Sequence, residues 1–235
     1  MGYAKKQAKN IEKGYAAWER SIEAQREIYP KSLDQFKQVV REGYHLNFFS
    51  LALFSGIVSG TLFSVGGFRA PYQLLLGIPV IWFGVFFGIG RALASLMLAY
   101  SGKIKKAITL PSFYLFQLIL YVSLIFILGT ISLLWVVITT FIIINAFQWG
   151  LSRIDESYQL DTICSSKFKA TLLSTASQID QTIAAISSFG VGLLIEKVSY
   201  HYGFFYLGII FVIILLPLYL YILMKYKSGA YTKEK

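Results

Sequence analysis

Cysteine, histidine and charged residues are scarce in this 235-residue sequence, and each scarcity excludes a class of protein. The one cysteine, Cys164, cannot form an intramolecular disulfide, so a disulfide-stabilised domain is excluded. The two histidines, His45 and His201, are expected near opposite membrane faces, which excludes a metal site that uses both of them. Only 14% of the residues are charged, whereas a soluble domain has about 25%.

The motifs of common soluble enzymes are also missing. The sequence contains no GxxxxGK[ST] phosphate loop, no HExxH zinc motif, no CxxC and no GxSxG nucleophile elbow. Gly88 and Gly90 lie inside a hydrophobic run, which does not fit a dinucleotide-binding loop. We therefore expect no enzyme activity, no cofactor and no metal. The net charge of +10 does not indicate nucleic acid, because the basic residues lie between hydrophobic runs.

Hydrophobic residues make up 56% of the chain and are concentrated in long runs. A membrane-spanning helix needs about 20 consecutive apolar residues, and six runs are long enough. They predict an all-α polytopic membrane protein whose six-span domain covers 44–225, with a tail at 226–235. The predicted spans are 46–68, 72–100, 107–128, 131–151, 170–195 and 203–224. The polar start of the chain indicates no cleavable signal peptide.

The distribution of lysine and arginine predicts the orientation of these spans. If the amino terminus is cytoplasmic, 19 basic residues lie on the cytoplasmic side and only Arg69 and Lys197 lie on the outer side. Cytoplasmic loops of membrane proteins carry such an excess of basic residues. We therefore expect a plasma-membrane protein with six spans and both termini in the cytoplasm.

The first 43 residues differ from the rest because they are polar and charged. One helical stripe in this segment is apolar and consists of Ile11, Tyr15, Trp18 and Ile22. Pro30 ends that helix, and Ser32 is in position to cap a second one. The segment is predicted either to lie as an amphipathic helix on the cytoplasmic leaflet or to be a linker to other parts of a protein.

Small residues and prolines within the runs predict details of helix packing. Gly56 and Gly60 are four residues apart, as are Gly84 and Gly88, and this spacing lets membrane helices approach closely. Pro79 falls inside the second predicted span, where a kink is expected.

Two charged residues fall within the predicted spans, where a charge costs a few kcal/mol on insertion scales. Arg91 lies in the second span and Asp180 in the fifth, at comparable depths that would allow an ion pair. One hypothesis makes Asp180 a protonatable or substrate-facing group and Arg91 an anion or gate contact. The alternative is structural: Arg91 extends toward the cytoplasm, and Asp180 supports a helix contact.

Asp180 borders a polar stripe in the fifth span, which we expect to face the bundle interior or water. The stripe consists of Ser174, Ser177, Gln178 and Gln181. The candidate contacts for a substrate or coupling ion are Asp180, Gln178, Gln181, Arg91, Asn145 and Gln148. Gln117 is interpreted as an interhelical hydrogen-bond partner. An intramembrane protease is not expected, because Asp180 has no second acid within the predicted spans.

Lys169 to Ser174, with the pattern basic-Ala-Thr-x-x-Ser, stand at the entry of the predicted fifth span. This segment is similar to the entry of the penultimate helix in many drug-efflux members of the major facilitator superfamily, and other segments also resemble the carboxyl-terminal half of these transporters. The helix exit Gly192-Leu193-Leu194 is similar to that of the same members, and Glu196 matches an acidic residue often found after it. Further similar segments are 202–208, the basic turn 99–106 and the linker helix 33–42 followed by Asn47.

The resemblance implies that this chain holds six of the family's twelve spans. The family's substrate site lies between two six-helix halves. The first and fourth spans would then line a central cavity, and the second and fifth would face a missing half. The implied partners are the lipid bilayer, an unknown small-molecule substrate, and either a separately encoded amino half or a second copy of this chain. A truncated gene product is the third possibility.

These observations leave two functions open. The first is transport of a small molecule by alternating access, as half of a secondary transporter of the efflux type. The second is a non-transporting six-helix membrane protein, either a transporter fragment or an assembly protein.

Overall fold

A computed structural model describes residues 34–231 of the chain. The chain divides into two units, residues 1–42 and residues 43–235. The described part of the first unit, 34–42, is helical. The predicted amphipathic helix around Ile11 to Ile22 and the Ser32 cap lie outside the described residues.

The second unit contains six helices that are long and apolar enough to cross a membrane. We number them as spans in chain order: Phe48–Leu75, Ile81–Ala99, Leu110–Thr130, Leu134–Thr162, Lys169–Lys197 and Tyr200–Lys227. No β-strand occurs between residues 34 and 231. The described part of the chain is therefore all-helical and has six candidate membrane spans, as the hydrophobic runs predicted.

The boundary between the first two spans differs from the prediction. The first span continues through Phe68 as the short helix Arg69–Leu75, and the second begins only at Ile81. Gly77 has a φ of 80°, a left-handed conformation that favours glycine, and Pro79 follows it in the loop. The prediction that Pro79 lies inside a span is wrong, because this Gly-Pro loop separates the two helices.

The fourth span is longer than predicted and reaches Thr162. Its last turns contact the basic turn helix Ser101–Ala107, which joins the second and third spans. Lys105 Nζ lies 2.7 Å from an Asp161 carboxylate oxygen and 2.5 Å from Ser157 Oγ. The Tyr158 hydroxyl donates to the Ile108 carbonyl oxygen at 2.5 Å. These contacts hold the end of the fourth span as a helix beyond its hydrophobic run.

The spans pack in three main pairs: first with fifth, second with fourth, and third with sixth. The first span is the most enclosed, because 67% of its apolar segment is buried inside the bundle. In the second and fifth spans only 11% of the apolar segment is buried. A Cβ added at Gly60 would lie 2.7 Å from the Asp180 carbonyl oxygen, so glycine allows the first and fifth spans to approach. Gly56 contacts the same span, as its spacing predicted.

The second glycine pair behaves differently. Gly84 and Gly88 lie on the exposed side of the second span, and an added Cβ would meet no described atom within 4 Å at either position. They bring no helices together within residues 34–231, so a close approach at this pair stays a prediction. Gly90 supplies the close approach of the second span instead, because its added Cβ would lie 2.7 Å from Asn145 Nδ2.

Candidate functional site

An open cavity of about 390 Å³ lies among the first, third, fourth and fifth spans. Its walls include three carboxylic acids, Asp155, Glu156 and Asp180, and we call it the acidic cavity. Its polar lining residues are Ser55, Ser59, Gln117, Tyr121, Gln148, Ser152, Asp155, Glu156, Gln159, Ser177 and Asp180. None of its lining residues within the described part of the chain is lysine, arginine or histidine.

Asp155 is the most enclosed of these acids. Tyr114 of the third span donates its hydroxyl to Oδ1 at 2.9 Å, and Ser55 of the first span donates to Oδ2. Gln159, one turn later on the fourth span, donates to Oδ2 at 3.4 Å. Three spans thus contribute donors to one buried carboxylate. These hydrogen bonds offset the free-energy cost of burying a polar group away from water.

Asp180 reaches the same cavity from the fifth span with fewer partners. Ser59 Oγ donates to its Oδ2 at 3.2 Å, while Oδ1 is buried and accepts no hydrogen bond from any described residue. The ion pair with Arg91 that comparable depth allowed is not formed within residues 34–231. Asp180 therefore presents a free carboxylate oxygen inside the bundle.

Gln117 adds a second unpaired acceptor to the cavity wall. Its side chain is only 4% exposed, and its Oε1 accepts no hydrogen bond from the described residues. The interhelical hydrogen bond expected for Gln117 is thus absent at this atom. An unpaired buried acceptor costs about 1–3 kcal/mol, so a donor within the cavity would be stabilising.

The sequence prediction that Asp180 lacks a second acid is wrong, because Asp155 lines the same cavity. Within the described residues, no hydrogen bond joins the two carboxylates; each is held by its own serine. Aspartic proteases require two carboxylates close enough to share one proton. The arrangement is suited instead to receiving a proton or another hydrogen-bond donor.

A second cavity, of about 320 Å³, lies farther along the first and fourth spans and reaches the second. We call it the basic cavity, because two arginines line it and no acidic residue within the described chain does. Its lining residues are Phe63, Gly66, Gly67, Arg69, Phe87, Arg91, Phe141, Ile144, Asn145, Gln148 and Trp149.

Both arginine side chains of the basic cavity lie against one aromatic ring. The guanidinium carbon of Arg69 is 4.7 Å from the centre of the Phe87 ring, and that of Arg91 is 4.8 Å from it. Arg91 also lies 3.9 Å from the centre of the Trp149 ring. Arg91 thus lies against one aromatic ring of its own span and one of the fourth span.

Asn145 and Gln148 face the basic cavity together, as their spacing indicated. Asn145 is buried and donates to the Phe87 carbonyl oxygen at 3.3 Å, which fixes the second span against the fourth. Gln148 lines both cavities and donates to the Ser59 carbonyl oxygen at 3.5 Å. Asn145 therefore positions a helix, whereas Gln148 stands between the two cavities.

The remaining two candidates, Gln178 and Gln181, are exposed and line neither cavity. The face of the fifth span that enters the acidic cavity consists of Leu173, Ala176, Ser177 and Asp180. The two glutamines lie on a different face of the same span. The structure thus divides the predicted polar stripe into an inner part and an outer part.

Three charged residues of the cavities, Asp155, Glu156 and Arg69, were not among the predicted candidates. Asp155 was placed after a span that was expected to end at 151. Leu151, Ile154 and Tyr158 continue an apolar helical stripe past that point, and this spacing is the signal that could have located it. Arg69 was placed in an outer loop, and the sequence has no comparable signal for its entry into a cavity.

No family model, no curated protein and no solved structure matches this chain.

Proposed function

We propose that this chain is the carboxyl-terminal half of a major facilitator superfamily transporter, which moves a small molecule by alternating access together with a partner half. The observation that carries the proposal is the fifth span, which is polar on two faces. Asp180 points into the acidic cavity, while Gln178 and Gln181 are exposed near the middle of a helix that is long enough to cross a membrane.

Exposed amides at this depth indicate a further protein surface or a water-filled passage. Polar side chains in membrane helices almost always face the bundle interior or a water-filled cavity, because lipid offers them no hydrogen bonds. The second span supports the same conclusion, since its exposed side carries Gly84 and Gly88 at the spacing that favours close helix contact. These two spans are the least buried of the six.

In this proposal the acidic cavity holds the coupling group. Asp180 is the preferred residue, because its Oδ1 is unpaired and could gain or lose a proton without breaking an existing hydrogen bond. Asp155 is held by three donors and is better suited to anchoring the first, third and fourth spans. The cytoplasmic position of both termini, the plasma membrane and the efflux direction belong to the same proposal.

One observation favours the second candidate, a six-helix membrane protein that does not transport. The polar atoms of Asp155 are satisfied within the bundle, so this carboxylate needs no substrate. Such a protein would still require a partner for the exposed glutamines, but Asp180 would have only a structural role.

The partner is tested by purifying the tagged full chain from its native membrane in a mild detergent and measuring the mass of the complex. A complex with a second membrane protein supports the separate-half arrangement, and a dimer of this chain supports the homodimer. A strictly monomeric chain contradicts both.

Transport is tested by comparing cells that express the wild-type chain with cells that express Asp180→Asn. Accumulation of a panel of labelled small anions and cations is measured with and without a proton gradient. We expect gradient-dependent transport of at least one compound and its loss in Asp180→Asn. Asp161→Asn serves as the control, because Asp161 contacts Lys105 outside both cavities. Equal transport by wild type and Asp180→Asn would remove Asp180 from the mechanism.

A further inference from the structure

We propose that the basic cavity binds a small oxyanion, a carboxylate, phosphate or sulfate group, between Arg69 and Arg91. This inference deepens the proposed function. Only the role of the anion as a transported substrate rests on that proposed function. The binding site itself follows from the geometry of the two arginines and stands whether or not the chain transports.

Two like charges converge on this cavity. Arg69 approaches one ring from the end of the first span, and Arg91 approaches the same ring from the second span. Two positive charges that line one cavity repel each other. This repulsion is stronger in a medium of low dielectric constant than in water. Stacking on aromatic rings stabilises each cation, but it leaves the repulsion between them uncompensated.

No described residue supplies the missing negative charge. The ion pairs found within residues 34–231 do not include Arg69 or Arg91, and no carboxylate lines the basic cavity. Arg69 Nε is buried and donates to no described atom. Arginine presents a planar set of N–H donors that matches an oxyanion, so two unpaired guanidinium groups at one cavity form an anion-binding arrangement.

The rest of the cavity fits a small ligand. Its volume of about 320 Å³ is about ten times the share of liquid volume that one water molecule occupies, roughly 30 Å³. Gln148 adds an uncharged polar group to the lining. The adjacent acidic cavity has the opposite charge, so an anion is expected to prefer the basic one.

Trp149 provides a native reporter for the experiment, because Arg91 stacks on its ring. The full chain is purified in a neutral detergent without added lipid, and its fluorescence is followed as inorganic phosphate and then sulfate are added at constant ionic strength. Subtracting the signal of Trp149→Phe isolates this residue. We expect a saturable change in wild type and a dissociation constant at least ~10-fold higher in Arg69→Gln and in Arg91→Gln.

Arg153→Gln is the matched control, because Arg153 is exposed and pairs with Glu156 on the surface of the fourth span. It is expected to bind phosphate as wild type does. Size-exclusion profiles identify variants that do not fold. If the variants do not fold, the thermal unfolding midpoint of the wild type is measured at rising phosphate concentrations. A bound anion raises this midpoint, and an unchanged midpoint overturns the proposal.

A lipid phosphate could supply the same chemistry as a free anion. The second arm therefore places the protein in nanodiscs of phosphatidylcholine or of phosphatidylglycerol. Saturation by free phosphate in detergent supports a soluble anion. A Trp149 change that occurs only with phosphatidylglycerol overturns the assignment of a soluble anion. No saturable change in either arm overturns the anion site itself, and so does a dissociation constant in Arg69→Gln and Arg91→Gln equal to that of wild type. Because no step measures transport, a failed transport assay leaves this result intact.

Discussion

Ser55 and Ser59 lie one turn apart on the first span, and each donates a hydrogen bond to a different aspartate. Ser55 bonds to Asp155 of the fourth span, and Ser59 bonds to Asp180 of the fifth. One face of one helix therefore positions both carboxylates of the acidic cavity. The first span is also the most buried of the six, which makes it a rigid support for them.

The two aspartates are expected to differ in their contribution to stability. Asp155→Leu removes an acceptor shared by three donors and should lower the free energy of unfolding by about 1–3 kcal/mol, because buried donors lose their partner. Asp180→Leu removes the acceptor of Ser59 only and should cost less. Thermal unfolding of both variants in the same detergent shows which substitution lowers the stability more. A larger loss in Asp180→Leu would contradict the proposed division of roles.

The contact between the first and fifth spans is expected to tolerate no side chain at Gly60. Gly60→Ala would place a Cβ 2.7 Å from the Asp180 carbonyl oxygen and 2.8 Å from the Ala184 nitrogen, so the helices must separate. Overpacking of this kind typically costs about 1–3 kcal/mol. Gly88→Ala is the control, since an added Cβ meets no described atom there. Unfolding midpoints should fall for Gly60→Ala only.

The exposed glutamines are expected to matter for association and not for folding. Gln178→Leu combined with Gln181→Leu replaces amides on the outer face of the fifth span, so a polar partner would lose its contacts. Retention of the partner during purification should fall, while the size-exclusion profile of the chain itself stays the same.

Ser123→Leu is the matched control for the glutamine variant. Ser123 is exposed on the third span, and its hydroxyl donates to the Ile119 carbonyl oxygen of the same helix. It should leave the partner bound. Equal retention in all variants would show that the glutamine face is not the interface.

Tyr231 is expected to give the chain a loss of stability at high pH. It lies after the sixth span, its hydroxyl is 2.6 Å from Ser50 Oγ, and burial raises its pKa above the ordinary value of 10.0. The folded chain thus favours the neutral phenol. This contribution is present below pH 10.0 and is lost as the pH rises above it.

Tyr231→Phe removes both the hydrogen bond to Ser50 and the titrating group. At neutral pH the variant should be less stable than wild type by about 1 kcal/mol. The difference should be constant below pH 10.0 and should shrink as the pH rises above it, where wild type loses its contribution. Unfolding midpoints measured below and above pH 10.0 test this, and a difference that stays constant throughout would exclude Tyr231 as the titrating group.

The spans were predictable because a membrane helix needs a long apolar run, and six such runs are visible. Their limits were less predictable where local contacts decide them. The run after Arg69 continues across Gly77 and Pro79, so composition could not show that the helix stops there. Beyond residue 151 the fourth span continues because Tyr158 and Lys105 make contacts that hydropathy does not measure.

The site was predictable only in part, for a related reason. Asp180 was visible as a charge within an apolar run, whereas Asp155 sits among other polar residues near a helix end. Ser177 and Gln178 are neighbours in sequence and are both exposed, yet only Ser177 lines the acidic cavity. Which side of a polar stripe turns inward depends on the close contact at Gly60, and helical periodicity does not contain that information.

The outward position of Gln178 and Gln181 also has a consequence for the steady-state amount of this protein in a cell. A chain inserted without a cover for these amides keeps polar groups against lipid and is a target for membrane quality control. In the proposed arrangement its steady-state amount would therefore follow the supply of its partner, and expressing this chain in excess would not yield a proportional excess of folded protein.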